Sequence, residues 1–109
     1  MQSTQNRIQS SHAGNPQIMA IMPEFVAGLP AKVRQMTNLL ECKDSTGLQN
    51  LAHQLLGTCG GYGFAEVALA ARSVEQSIKA GRSLDFVTPE ILSLIEITRR
   101  IDGYDESAE

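Results

Sequence analysis

The sequence predicts an all-α fold, an antiparallel bundle of four helices, and three observations support this. Of the 109 residues, 42% are hydrophobic but only 5% are aromatic, and a core of aliphatic side chains suits helices better than sheets. Apolar residues recur at spacings of three and four in four segments, the periodicity of amphipathic helices. Short connections between the segments favour antiparallel neighbours. At this length we expect one domain, with the bundle over residues 17–103.

Residues 1–16 are rich in Gln, Ser and Asn, and we expect a flexible tail there. The first helix is predicted to begin at Pro16 or Pro23 and to end at Glu41. Pro30 lies inside its pattern and should kink or break it. The apolar face of this helix consists of Phe25, Leu29, Val33, Met36 and Leu40.

The second helix is predicted to begin near Asp44, Ser45 or Thr46, any of which can cap it. The glycine-rich sequence GTCGGYG, residues 57–63, ends it. We expect Cys59 to be a small buried hydrophobic residue on the core face. The complete apolar stripe is Leu48, Leu51, Ala52, Leu55, Leu56 and Cys59.

The third helix is predicted over residues 64–80, with Gly81 just past its end. The fourth is predicted to begin with Thr88 as N-cap and Pro89 in the first turn, and to end near residues 101–103. Residues 104–109 form a short acidic tail. The inward positions of the two helices are Val67, Ala70, Ala71, Val74, Ile78, Ile91, Leu94, Ile95 and Thr98.

Charge and composition exclude several classes of function. A formal net charge of −3 gives no basic surface for nucleic acid or an anionic membrane, and no apolar run reaches the ~20 residues of a membrane span. The first residues lack the apolar segment of a secretory signal. Cys42 and Cys59 are too far apart for a CxxC motif, so we expect a cytoplasmic protein with reduced thiols. His12 has no partner at metal-ligand spacing, and no metal or intrinsic cofactor is expected.

His53 is the candidate for chemistry. On a helical wheel it lies about 130° from the centre of the apolar stripe, so its ring should face solvent. The next positions on that side are Gly57 and Gly60. Glycine inside a helix costs about 1 kcal/mol relative to alanine, which indicates clearance for a partner's backbone or a phosphoryl group; for Gly60 the alternative is the helix end. A neutral imidazole offers a lone pair for attack on phosphorus.

The longer sequence LAHQLLGTCGGYGFAEVALAARSVEQSIKAG, residues 51–81, resembles the histidine-containing phosphotransfer (Hpt) domain family of two-component signalling. The family pattern is a histidine, a glycine four residues later, a second glycine at ten, and a hydrophobic–Glu pair on the next helix. Residues 24–40 resemble the opening helix of the family, so the resemblance covers residues 17 to 101. The matching residues are His53, Gly57, Gly63, Val74 and Glu75.

The resemblance implies a four-helix bundle that carries His53 on its second helix and accepts a phosphoryl group on Nε2. The implied partners are the aspartate of a response-regulator receiver domain, a sensor histidine kinase, or both. The partner would supply catalysis and hold the Mg²⁺ ion. The chain would then be a phosphoryl carrier rather than an enzyme, and we expect a monomer.

Leu56 departs from the family pattern, which usually has a lysine at this position to steady the phosphoryl group. A cation could come from the third helix, where Arg72 and Lys79 share one side; the alternative for Lys79 is an i,i+4 ion pair with Glu75. Leu56 also keeps open a different function, an adaptor or decoy that binds receiver or kinase domains without phosphorylation. The expected docking surface surrounds His53 and consists of Gln54, Leu56, Gly57 and Gly60, with Tyr62 or Phe64.

Overall fold

The computed structural model describes residues 7–108, and this part of the chain forms five α-helices and no β-strand. They are α1 (Pro16–Ala27), α2 (Leu29–Glu41), α3 (Ser45–Gly61), α4 (Ala65–Lys79) and α5 (Leu84–Arg99), followed by a 3-10 turn, Glu106–Ala108. The all-α prediction is confirmed. The predicted number of helices changes from four to five, because the predicted first helix is two helices.

The predicted first helix is interrupted at Gly28, as the position of Pro30 suggested. Proline cannot donate a backbone hydrogen bond within a helix, but it is tolerated in a first turn, and Pro30 lies in the first turn of α2. Of the two predicted starts, Pro16 is correct, because the side chain of Asn15 caps α1 there. Pro23 therefore lies inside α1.

Helices α2 to α5 pack in a ring around one core, so that α2 and α4 each contact both α3 and α5. Helix α1 packs beside α2 at the edge of this ring. The predicted stripe of α3 is buried except at Leu56, which is half-buried. The largest fully buried side chains are Phe64, Leu29, Met36, Leu48, Leu55, Ile91 and Leu94.

Helix α5 begins five residues earlier than predicted, and Ser83 is its N-cap instead of Thr88. The side chain of Ser83 accepts a hydrogen bond from the N–H three residues later, as a capping serine does. The hydroxyl of Thr88 donates to the carbonyl of Leu84 at 2.6 Å. Pro89 thus lies inside the helix. The extra turn places Val87 in the core, where it is fully buried.

Residues 7–15, called the N-terminal strap below, cross the end of α5. The N–H of Ile8 donates to the carbonyl of Arg100, and the carbonyl of Ile8 accepts from the N–H of Asp102, both at 2.8 Å. The expectation of a flexible tail is therefore corrected for the strap, because hydrogen bonds hold it on the bundle. The part of the expected tail at residues 1–6 lies outside the described residues.

The segment expected to be an acidic tail also packs onto the bundle. Tyr104 is buried, and its hydroxyl donates to Glu106 at 2.7 Å. Nε of Arg99, the last residue of α5, donates to the same carboxylate at 2.8 Å. Only Glu109 of that segment lies outside the described residues. Within residues 7–108, no helix has the length and apolar character needed to cross a bilayer.

Candidate functional site

The imidazole of His53 projects into solvent from the third turn of α3. The helix starts where the side chain of Asp44 accepts a hydrogen bond from the N–H of Gly47 at 2.9 Å. Core packing of the apolar stripe then fixes the rotation of α3 about its axis. The side chain of His53 is 71% exposed, as the helical wheel predicted.

One ring nitrogen of His53 is bound to the neighbouring helix. Its Nδ1 lies 2.8 Å from Oε2 of Glu75 on α4. An ionised carboxylate can only accept, so Nδ1 carries the hydrogen of this bond. In the neutral ring, Nε2 therefore keeps the lone pair. The contact selects one tautomer and one orientation of the imidazole.

Glu75 is a carboxylate in a largely apolar helix face, only 6% exposed. Its Oε2 also lies 3.4 Å from Nζ of Lys79, one turn further along α4. Burial raises the pKa of the Glu75 carboxyl, but the hydrogen bonds from His53 and Lys79 outweigh burial and hold that pKa below its usual value. Glu75 is thus ionised at neutral pH. It accepts a hydrogen bond from His53 and forms an ion pair with Lys79.

The helix surface next to His53 carries no side chains at two positions. A Cβ built at Gly57 would meet nothing within 4 Å, and one at Gly60 would lie 3.7 Å from Cβ of Ala68, an ordinary contact. The packing of the chain itself therefore does not require glycine at either position. Gln54 is exposed beside this open strip, and the half-buried Leu56 lies within one turn of His53.

The two aromatic residues expected on the docking surface turn away from it. The ring of Tyr62 stacks on Phe25 of α1 with centroids 4.0 Å apart, and Phe64 is 2% exposed. Both rings serve to attach α1 to the bundle. On α4, Ala68 faces Gly60, and the next residue, Leu69, is a large apolar side chain that is 62% exposed.

The two basic residues expected near the site differ in their contacts. Lys79 forms the ion pair with Glu75 that the i,i+4 spacing predicted, and Glu75 in turn connects it to His53. Arg72 is exposed on α4 one turn before Glu75, and within residues 7–108 no hydrogen bond or ion pair joins it to His53. In the same part of the chain, no three His, Cys, Asp or Glu side chains cluster as metal ligands.

Glu75 is the residue whose role the sequence left undefined. The pattern identified it as a family position and as a partner for Lys79, but not as the partner of His53, 22 residues away. Their contact depends on the register between α3 and α4, which periodicity within each helix does not specify. The available signal was an acidic residue next to Val74 on a face that is otherwise apolar.

The sequence model of the Hpt domain matches residues 20–102. This range includes most of α1, all of α2 to α5, and therefore both His53 and Glu75. Neither the curated protein sequences nor the solved structures gave a significant match. The domain match covers most of the 109 residues, and the fold is a helical bundle as in that family. The chain therefore belongs to the Hpt domain family, whose members carry phosphoryl groups on histidine in phosphorelays.

Proposed function

We propose that this chain carries a phosphoryl group on Nε2 of His53 and exchanges it with a receiver-domain aspartate or a sensor histidine kinase. The observation that carries the proposal is the 2.8 Å contact between Nδ1 of His53 and Glu75. With Nδ1 occupied, Nε2 is the nucleophile, and the ring is 71% exposed to an incoming partner. A nucleophile held by an oriented acidic group is a recurring catalytic arrangement.

In the proposed step, the lone pair of Nε2 attacks the phosphorus of an aspartyl phosphate. The N–P bond forms while the P–O bond to aspartate breaks, and the aspartate leaves as a carboxylate with the electron pair. The imidazole becomes cationic and keeps its hydrogen on Nδ1, where the charge of Glu75 stabilises it. The receiver domain would hold Mg²⁺ and neutralise the transferring group. The reverse step returns the phosphoryl group to a receiver.

The docking surface that we propose combines α3 and α4. On α3 it consists of Gln54, Leu56, Gly57 and Gly60, and on α4 it adds the exposed Leu69. The glycines would let the partner's backbone approach the ring, and the two leucines would provide apolar contact area. Such a surface suits a transient complex, which needs a modest interface.

The charge that the family usually obtains from the position of Leu56 would come from α4. We assign this role to Lys79, because Glu75 holds its ammonium beside the imidazole. Arg72 is a second candidate, one turn earlier on the same helix. Within this proposal the chain acts as a monomer in the cytoplasm and has no catalytic centre of its own.

Phosphoryl transfer from a phosphorylated receiver domain to the purified chain tests the proposal. Wild type should acquire an acid-labile, base-stable label, and His53→Gln should acquire none while it still binds the receiver. As a matched control, His12→Gln should be labelled like wild type, since His12 lies on the strap. A receiver that binds wild type without transferring its phosphoryl group would favour the adaptor function. Labelling of His53→Gln would show that another residue is the acceptor.

A further inference from the structure

A groove between α1 and the segment that follows α5 forms a second surface, apart from the His53 site. Its volume is about 390 Å³. The α1 groove, as we call it, has an apolar floor and an acidic rim. The floor is formed mainly by Met19, Met22, Pro23 and Val26, and the rim by Asp102 and Asp105.

Two large apolar side chains of helix α1 are exposed to solvent. Met19 is 39% exposed and Ile21 is 50% exposed, and Glu24 is the one charged residue between Pro16 and Ala27. Ile21 is two residues from Met19 and faces another side of the helix, so Met19 is the exposed apolar residue that lines the groove. An exposed apolar surface commonly marks a site for a partner. Methionine is well suited to such a site because its flexible side chain adapts to different apolar surfaces.

The charged side chains that line the α1 groove are both acidic, Asp102 and Asp105. The sequence contains no lysine or arginine between residues 8 and 31, and none after Arg100, whereas Asp102, Asp105 and Glu106 all follow it. Arg7 lies on the strap, and its guanidinium donates to the backbone carbonyl of Ile101 at 3.2 Å. Hydrogen bonds from Ser107 lower the pKa of the Asp105 carboxyl, and the charge of Arg7 lowers it further, so Asp102 is the rim carboxylate with the weaker competition from the chain itself. Two carboxylates at the edge of an apolar floor are complementary to a side chain that combines apolar atoms with a positive charge.

The acidic rim favours some binding partners of the α1 groove over others. In a symmetric contact with a second copy of the chain, the same acidic rims would face each other and repel. Polyanions such as nucleic acid are repelled for the same reason. A basic amphipathic segment satisfies both parts of the groove, since its apolar face covers the methionines and its lysines or arginines reach the rim.

We propose that the α1 groove binds a basic amphipathic segment of a partner protein, with an apolar side chain on Met19 and cationic side chains at Asp102 and Asp105. The lining residues belong to α1 and to the segment after α5, so an occupant leaves α3, α4 and His53 accessible. Recruitment through this groove is therefore independent of phosphoryl transfer and does not rest on the function proposed above.

Fluorescence anisotropy with a synthetic amphipathic Leu/Lys peptide and the full chain tests the proposal. We expect saturable binding that weakens as salt increases. Asp102→Asn and Met19→Ser should each weaken it about fivefold or more, the size expected for one interfacial charge or apolar contact. The matched controls are Asp85→Asn and Leu92→Ser, which remove an exposed acid and an exposed leucine on α5 and should leave the affinity unchanged.

Three results would overturn the proposal. The first is the absence of saturable binding, and the second is equal weakening by the Asp102→Asn and Asp85→Asn variants, which would indicate attraction to net charge alone. The third is a pattern of NMR shift changes on α3 and α4 instead of α1. All four substitutions are at exposed positions, and the circular dichroism and melting temperature of each variant establish that it folds.

Discussion

At the scale of single residues, the site is organised by one carboxylate that serves two neighbours. Glu75 receives a hydrogen bond from His53 at 2.8 Å and an ion pair from Lys79 at 3.4 Å. A nearly buried carboxylate without partners would be strongly destabilising. Here the partners that compensate for its desolvation are also the groups proposed to handle the phosphoryl group, so stability and function depend on the same contacts.

Glu75→Gln should slow phosphoryl transfer without abolishing it. The amide keeps the size of the side chain but loses the charge that orients Nδ1–H and stabilises the cationic ring. We expect a decrease of about tenfold to hundredfold, by analogy with metal-binding histidines that lose the carboxylate orienting them. Stopped-flow transfer from a phosphorylated receiver measures it. Glu66→Gln, at an exposed acid on the same helix, is the control, and a wild-type rate for Glu75→Gln would remove this carboxylate from the mechanism.

The same carboxylate should make stability depend on pH. Because the folded-state pKa of Glu75 is lowered, its stabilising contribution is present above its ordinary pKa of about 4.5 and is lost as pH falls through the folded value. The difference in unfolding free energy between wild type and Glu75→Gln should thus be larger at pH 7 than at pH 3. Urea denaturation at both pH values measures this, and a difference that grows on acidification would contradict it.

At the scale of helices, the glycines on the side of α3 that carries His53 lower the stability of this helix. A Cβ at Gly57 would meet nothing, so the chain's own packing gains nothing from glycine at this position. The loss of helix propensity is about 1 kcal/mol for each interior glycine. This loss of stability is consistent with the proposal that Gly57 leaves space for a partner to approach His53.

Substitution at Gly57 should therefore move stability and transfer in opposite directions. Gly57→Ala should raise the unfolding free energy by about 0.5–1 kcal/mol, and Gly57→Gln should stabilise the helix but block transfer to His53. Thermal melting and receiver-to-histidine transfer are measured on the same samples. Ser93→Gln on α5 controls for added bulk at an exposed site. If Gly57→Gln transfers at the wild-type rate, the glycine does not provide clearance.

Periodicity predicts which side of each helix is buried, but it does not predict features that depend on contacts between helices. The buried stripe of α3 and the exposure of His53 follow from spacing alone. The start of α5 did not, because Ser83 and Thr88 are both good N-caps locally, and burial of Val87 in the core selects the earlier one. The orientation of Tyr62 could not be predicted either. It depends on stacking against Phe25 of α1, and the sequence predicts α1 and α2 as one helix.

At the scale of the whole molecule, the N-terminal strap connects two distant parts of the bundle. Ile8 pairs with the chain around Ile101, and the N–H of Ser11 donates to the carbonyl of Gly63 at 2.9 Å, in the turn between α3 and α4. The strap is mostly polar and has no apolar residues at helical spacing, so its sequence predicts a flexible segment. Its order comes from these backbone hydrogen bonds and from single side-chain contacts, such as the hydroxyl of Ser10 donating to the carbonyl of Tyr62 at 2.5 Å, neither of which leaves a periodic pattern in the sequence.

Alanine substitutions at two glycines with the same backbone conformation distinguish a clash with the strap from backbone strain in a turn. Gly63 has φ +88° and Gly81 has φ +82°, so alanine costs about 1–2 kcal/mol of strain at each. At Gly63 the new Cβ would also lie 2.6 Å from Oγ of Ser10 and 2.9 Å from N of Ser11, whereas at Gly81 it would meet nothing within 4 Å.

Gly63→Ala should therefore lower the unfolding free energy more than Gly81→Ala, with an excess of about 1–3 kcal/mol from overpacking. In a chain that lacks residues 1–12 the excess should disappear, because Ser10 and Ser11 are gone. Chemical denaturation of the four variants closes this double-mutant cycle. An excess that survives the truncation would mean that the strap does not press on Gly63.

The pairing of Ile8 with the chain around Ile101 brings the beginning and the end of the fold to one edge of the molecule. A linker of a few residues could join them into a closed ring, and the ring could be reopened at the exposed turn of Gly81 and Arg82. We expect such a circularly permuted chain to form the same bundle, because permutation is commonly tolerated when the two ends of a domain lie close together. For the same reason, we expect the bundle to tolerate insertion into a surface loop of a host domain, with both connections leaving from one place.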